Sequence, residues 1–520
     1  MQRNTIFSLI AGALFALSHS PSQAQANLKW VAQSAGFNAV DVGVDASGFV
    51  YVTGLSPLDA EHDFRHDIVT IKYDADGNEV WKREFDEPDD GTNGTDTPDW
   101  LALDPSGNVI VTGRSFINTT GDDIIVLKYD PDGNLLWKTR TTTGVEGERV
   151  ETDAAGNIYV AGKTTDSSSR DYITVKYDPN GNELWFRTYN GPNDFTDQVN
   201  ALAVTATGEA IVTGESTGGI TSFDFATIFY EADGTERWVQ RFTSPGSEID
   251  RGADVALGPL GEIYVFGHSS NGVDTDFTLI KYDQAGNELW VRTYTDPNNR
   301  GDIAHRVTVD GAGDIIATGV NGISQILTVK YDPDGNLLWA RIFDDPQGED
   351  IGYAVATDSE NSIYVTGEAN NRVVTLKYDP SGNLFWSDIY DNPGFFPDRG
   401  YNIAIDSADN VAIAAQAPIL TLYYASDSNG GGGIPCGDLV SFRARCKATA
   451  SGHRLQAQVT LTDSSHAGES VEVTVDGEPF VLTINSNRAR LSTPETMTGP
   501  HTFELTDPAG CFAPIVAECN

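Results

Sequence analysis

Between residues 28 and 424 the chain alternates apolar and polar residues in short runs rich in Val, Ile, Thr and Tyr. Asp, Gly and Asn clusters separate the runs. A period of two bounded by turn residues predicts β-strands, and no helical stretch of any length interrupts them. Two phrases recur. Lys-Tyr-Asp-x-x-Gly-Asn-x-x-Trp stands at Lys72–Trp81, Lys128–Trp137, Lys176–Trp185, Lys281–Trp290, Lys330–Trp339 and Lys377–Trp386, with a degenerate copy at Phe229–Trp238. Asp-x-x-Gly-x-x-Tyr-Val-Thr-Gly precedes each copy, clearly at Asp45–Gly54, Asp104–Gly113, Asp153–Gly162 and Asp358–Gly367 and more loosely at Asp310–Gly319. Degenerate copies end at Gly214, Gly267 and Ala415. The repeated Tyr residues lie 47 to 56 positions apart, the range of propeller blades and above that of helical repeats.

Each unit holds four strands. Strand A ends at the first Asp, strand B carries Tyr-Val-Thr, strand C ends at Tyr-Asp and strand D carries the Trp. Four-stranded antiparallel units repeated about a centre predict a β-propeller. Strands A, B and C each occur eight times, but a Trp-bearing strand D follows only seven strands C. The eighth stands before the first unit, at Leu28–Val31 with Trp30. The count predicts an eight-bladed propeller closed by its N-terminal strand, which hides the edges an open ring exposes.

These phrases resemble the SBBP-type β-propeller repeats of secreted bacterial proteins, over residues 28 to 424. The resemblance implies the fold and no common activity. The Asp-x-x-Gly-x-x-x-Trp piece also resembles the tryptophan-docking motif of quinoprotein dehydrogenases, which are likewise eight-bladed. The adjacent Cys pair of many quinoproteins is absent, so that resemblance implies packing.

Charge narrows the partners. The chain has 520 residues with 75 Asp plus Glu against 33 Lys plus Arg, a formal charge of −42. A basic nucleic-acid-binding face is excluded on these numbers. Hydrophobic content of 39% supplies a core, so the chain is not a disordered acidic one. Arg3, the apolar run Ile6–Leu17 and the small residues after it read as a secretory signal over 1–26, cleaved near Ala24 or Ala26. A secreted protein, extracellular or periplasmic, is expected. No other run is long enough for a membrane span, and a monomer is expected.

The propeller is expected over 27–425, and Ser426–Gly433, ending in four Gly, reads as a linker. Residues 434–520 carry ten acids against six Arg or Lys and all four Cys. Alternating runs at Arg454–Leu461, Ser470–Val475, Phe480–Ile484 and His501–Leu505 predict a small immunoglobulin-like β-sandwich. Local disulfides Cys436–Cys446 and Cys511–Cys519 are the first choice, and two other connectivities stay open.

The turns sort the two faces of the ring. The A–B and C–D links are tight Asp-x-x-Gly hairpins on one face. The B–C and D–A links vary in length on the other, where binding usually sits. The longest are Leu55–His66 and Glu87–Pro98. Asp96, Asp197, Asp250, Asp302, Asp350 and Asp398 open strand A in six of the eight blades, and a second set opens strand C at Asp67, Asp123, Asp171, Asp224 and Asp276. Rings of hard oxygen ligands suit calcium. Their regular repetition favours instead a scaffold role, with each Asp accepting backbone N–H bonds at a loop entry. The Asp-x-Asp-Gly-Asn turns lack the distant Glu of a calcium loop and read as turns. The repeated Trp read as packing between blades. Trp100 breaks the repeat and is the aromatic expected to meet a ligand, with Asp96 beside it. His62 and His66 offer two imidazoles in the long first loop, where a solvated polar loop is the plainer account.

No Gly-x-Ser-x-Gly elbow, His-Glu-x-x-His or phosphate loop appears. That favours a non-enzymatic binding or scaffold protein recognising a glycan or a protein through the B–C and D–A loops. The alternatives are a polysaccharide hydrolase or lyase using channel-mouth carboxylates and a quinoprotein-like oxidoreductase.

Overall fold

The computed structural model describes residues 26–426 apart from 37, 57–65, 87–94, 118–120, 142–143, 165–169, 193, 219–222, 246–248, 296–300, 347, 393–397 and 417–418. Beyond them it describes the strands between 439 and 519. The expected leader and linker, His62 and the side chains of the four Cys fall outside the described residues.

Eight four-stranded antiparallel sheets form between Leu28 and Tyr424. Seven are built from four consecutive strands, ordered A-B-C-D. The eighth is ordered with the N-terminal strand Leu28–Ser34 beside Ile419–Tyr424, then Val411–Ala415 and Gly400–Ile405. The eight-bladed count and the closure by the N-terminal strand therefore hold. The strands A are Ala39–Val44, Asp96–Leu103, Gly144–Thr152, Asp197–Val204, Asp250–Leu257, Ile303–Val309, Asp350–Thr357 and Gly400–Ile405. Each packs against strand A of both neighbouring blades, and the last packs against the first, so they line the centre of the ring.

The repeated phrases are explained by blade-to-blade docking. Lys72 and Trp81 face each other across strands C and D. Both donate to one acceptor in the next blade: Lys72 Nζ and Trp81 Nε1 each lie 3.0 Å from the Pro131 carbonyl. The same pair of bonds joins Lys128 and Trp137 to Pro179, Lys176 and Trp185 to Ala232, and Lys281 and Trp290 to Pro333. The turn that receives them closes on a glycine with positive φ. At Gly382 (φ 80°) a Cβ would stand 2.6 Å from the Trp339 ring, so the indole of one blade lies against the bare backbone of the next. Gly in this motif therefore serves the turn and the docking at once.

The turn Asp completes the unit. Asp45 Oδ1 accepts the amides of Ser47 and Phe49, which fixes the hairpin. In several blades the same carboxylate also meets the repeat Lys, as in Lys128–Asp104 at 2.8 Å and Lys330–Asp310 at 2.8 Å, both buried. The lysine charge is thus paired before it is sealed between blades. Between the sheets the core is Val, Ile and Tyr, for instance Tyr159, Ala161, Val199, Val212, Ile228 and Tyr230 around Trp185.

Residues 439–519 belong to a separate unit. It contains a three-stranded antiparallel sheet (Leu439–Thr449, Gly452–Leu461, Arg488–Ser492). A four-stranded one is ordered Glu478–Thr483, Ser470–Val475, Gly499–Asp507, Ile515–Cys519. The sequence reading found four of these seven strands. Those it missed, Leu439–Thr449, Arg488–Ser492 and Ile515–Cys519, have weaker alternation or flank a cysteine.

Candidate functional site

The six Asp that open strand A are fully buried. Their hydrogen bonds stay within the local loops. Asp250 accepts the Ser244 amide at 2.7 Å, the Ser244 hydroxyl at 2.7 Å and the Ser270 amide at 3.0 Å. Asp197 accepts the amides of Gly191 and Thr217. Asp350 and Asp398 accept those of Asp345 and Asn392. These four Asp thus tie a D–A loop to their own blade, and at Asp197 and Asp250 a B–C loop as well. Burial pushes Asp350 and Asp398 up to about 6, helped by the neighbouring acids Asp345 and Asp391 respectively.

One of the six stands in a denser group. Carboxylate oxygens of Asp67, Asp86 and Asp96 all lie within 4.8 Å of one another at the base of the two longest loops. The Asp96 amide donates to the His66 carbonyl at 2.9 Å, and His66 Nδ1 is 2.8 Å from the Ser56 carbonyl. Asp96 and His66 are therefore brought together, as the loop lengths suggested. Blades 2 and 4 set an arginine against the strand-C Asp, at Arg140–Asp123 (2.9 Å) and Arg241–Asp224 (2.7 Å). The first blade has Glu84 at the matching place and gathers three acids there instead.

Trp100 belongs to a different place. In seven blades strand A carries a β-bulge in mid-strand, between Pro98 and Trp100 in the second blade and between Ala304 and Arg306 in the sixth. A bulge re-aims the side chains around it. The residue after it is Asp41, Trp100, Arg149, Ala201, Asp254, Arg306 and Ala354 in turn, and the extra residue is Val40, Asp99, Glu148, Asn200, Ala253, His305 and Tyr353. By the repeat, Tyr401 and Asn402 take these places in the eighth blade. The Trp100 ring lies 4.0 Å from the Arg149 guanidinium carbon and 5.1 Å from that of Arg306. The second and sixth blades are opposite in an eight-membered ring, so this indole reaches the far wall of the channel.

Three acids surround this centre. Asp41 accepts the Leu101 amide at 2.7 Å, the Val42 amide at 2.8 Å and the Asn402 side-chain amide. Asp254 accepts the Val307 amide at 2.9 Å. These two carboxylates therefore stitch strand A to strand A of the next blade. Burial pushes Asp41 up to about 6. Glu151 is pushed up to about 7 by burial and then by Asp41. Arg149 is lowered to about 10 by burial and then by Arg306.

Nearer the loops, an aromatic arc crosses three blades. His305 stacks on Tyr353 with centroids 5.3 Å apart, and Tyr353 meets Tyr401 at 5.7 Å. Arg399 pairs with Glu368 at 2.7 Å beside them. Elsewhere around the mouth Lys163 bridges Glu146 and Glu148 at 2.7 and 2.6 Å. Asp99 next to them is held well above the usual carboxylate range by burial and by those two acids. Sequence reading missed Arg149, Arg306 and the arc. The one signal in the sequence is that charged residues, Asp41, Arg149, Asp254 and Arg306, stand at the place of Trp100 in other blades; which way they face depends on the bulge.

The closed ring of four-stranded blades with a polar, asymmetric channel defines a β-propeller of the repeat class. Residues 338–372 match the β-propeller repeat family (SBBP), and residues 65–321 match the family described as outer membrane protein assembly factor BamB. The chain has the fold of an eight-bladed β-propeller built of sequence repeats. No curated protein matches it. It is similar to the solved structure of Sqt1 from Chaetomium thermophilum, at 12% identity over 77% of this chain and 99% of that one, with a TM-score of 0.51. It is also similar to a virginiamycin B lyase from Staphylococcus aureus (11%, 66% and 98%, TM-score 0.43). A periplasmic gluconolactonase from Pseudomonas aeruginosa compares at 14%, 65% and 95%, with a TM-score of 0.42. At these identities the likeness is one of fold alone. Among the described residues no helix is long and apolar enough to cross a membrane.

Proposed function

We propose that the protein is a secreted, non-enzymatic binding propeller that recognises a glycan or a protein segment at the channel mouth on its B–C and D–A loop face. One observation carries this reading. The positions that build the ring repeat from blade to blade, whereas the bulge positions of strand A do not: Val40, Asp99, Glu148, Asn200, Ala253, His305, Tyr353 and Tyr401 occupy equivalent places, six of the eight carrying a polar group. A scaffold needs the first kind of position to be uniform and has no use for the second kind being polar and varied. A glycan array and a capture experiment on the purified protein, each with and without calcium, test it. Binding lost in Tyr353→Ala or Tyr401→Ala supports the reading, and binding indifferent to both removes it.

A polysaccharide hydrolase or lyase is the second reading, favoured by Asp99, whose carboxyl is held well above the usual carboxylate range by burial and then by Glu146 and Glu148, the direction a general acid needs. Turnover in a polysaccharide screen that disappears in Asp99→Asn would decide for it.

A further inference from the structure

Charged side chains enclosed by protein are normally paired, because an unpaired one bears the full cost of leaving water. Many of the other cations obey this: Lys128, Lys163, Lys330, Arg241, Arg251 and Arg399 all have a carboxylate within 4 Å, while Lys72, Arg83 and Arg292 are met by backbone carbonyls of the next blade. Arg149 and Arg306 do not. Among the described residues neither has an ion-pair partner. Arg149 Nη1 donates to the Glu148 carbonyl at 2.8 Å and Arg306 Nη1 to the His305 carbonyl at 3.3 Å, both on their own strands. The nearby acids Asp41, Asp254 and Glu151 make no ion pair with them within 4 Å, and Asp41 and Asp254 accept amides of the next blade instead. Both guanidinium groups come to the same indole, from the third and sixth blades, and both residues are only half-buried. Two forks of N–H donors are thus held in the channel with most of their donors uncommitted. In a chain of net charge −42 these are two cations among the acids Asp41, Asp254 and Glu151.

We infer that Arg149 and Arg306, set by Trp100, form an oxyanion-binding subsite in the central channel, and that the ligand of the propeller presents a carboxylate, sulfate or phosphate group to it. The inference rests on the binding reading above and names the chemistry of the group that enters deepest. Guanidinium forks suit a planar or tetrahedral oxyanion because two parallel N–H bonds meet two oxygens. Trp100 supports the subsite by stacking with both forks, which holds them at a fixed separation. The loop face supplies the entry, past Asn200, His305, Tyr353 and Tyr401.

Titration calorimetry on the full chain tests this, with glucuronate, sulfate and inorganic phosphate as separate probes, glucose as the neutral control and ionic strength held constant with sodium chloride. Saturable binding of at least one anion and none of glucose is expected. The anion that binds most tightly identifies the source of the oxyanion. Arg306→Gln should weaken binding at least about tenfold, and Arg306→Lys should weaken it measurably because the fork is lost while the charge stays. Far-ultraviolet circular dichroism and the melting transition report whether each variant is folded. If a variant is misfolded, protection of the parent by the anion against thermal unfolding carries the test. No saturable binding of any of the three anions by the parent at millimolar concentration overturns the inference. So does equal affinity in a folded Arg149→Gln/Arg306→Gln variant. Capture of a neutral glycan that survives both substitutions would sink this subsite and leave the binding reading standing.

Discussion

Gly382 shows how little room one residue has in this architecture. Its positive φ and the Trp339 ring against its backbone allow no Cβ, so Gly382→Ala should cost about 2–4 kcal/mol by strain and overpacking together. Urea unfolding of the two proteins side by side measures it. An equal midpoint would mean that the turn shifts freely and the docking is loose. Glu151 makes a second residue-scale prediction. Its carboxyl titrates near 7 in the folded protein and near 4.5 when unfolded, so the native state holds the proton more tightly. Stability from this group is therefore full below about 4.5 and is lost as pH rises through 7, by about 2–3 kcal/mol. Glu151→Gln should leave the melting temperature nearly unchanged at pH 5 and raise it at pH 8. Equal effects at both pH values would show that the carboxyl is not buried in the way described.

Among the elements, the N-terminal strand has the most asymmetric role. Leu28–Ser34 is the outer strand of the eighth blade, and the Trp30 ring stacks on Tyr423 at 4.9 Å and 8°. Deleting residues 27–36 leaves a strand edge exposed and removes the only covalent overlap between first and last blades. The deletion should melt well below the parent and aggregate on heating, as read by calorimetry and light scattering. Trp30 is only half-buried, unlike Trp386 at 2% exposure, so Trp30→Ala should cost about 1–3 kcal/mol where Trp386→Ala costs about 3–5. The strand displaced to the front was legible because a Trp-bearing run without its own blade is a counting anomaly. The strand-A bulges were not legible. A bulge adds one residue without any change of residue type, so the register of Arg149 and Arg306 toward the channel depends on cross-strand pairing that no single strand encodes. The strand-A Asp illustrate the reverse case: their repetition pointed to a loop role, and Asp197, Asp250, Asp350 and Asp398 do accept amides of the adjoining loops.

For the whole molecule, the sign of charge sets the outlook. Asp67, Asp86 and Asp96 gather in the first blade, within a chain of −42. If calcium joins them, saturating calcium should raise stability by about 2.7 kcal/mol at a hundred times its dissociation constant. Asp86→Asn should abolish that gain, and calorimetry with no heat and no thermal shift would return the three acids to loop support. The propeller as a whole was readable because ring closure demands the same Lys, Trp, Gly and Asp contacts at every joint. The channel was not, because its residues differ from blade to blade and do not follow the repeat. The meeting of the two ends in the eighth blade has one more consequence. The Ala425 amide donates to the Asn27 carbonyl at 3.0 Å, so the ring has no intrinsic first blade. A chain reopened at a link whose bonds stay within its own blade, such as Asn271–Asp274, with residue 425 joined to residue 27 by a short linker, should thread the same circle from a new origin. The position of the termini is then a matter of gene arrangement, and circular permutants give a way to move the opening around the ring while the docking turns are kept.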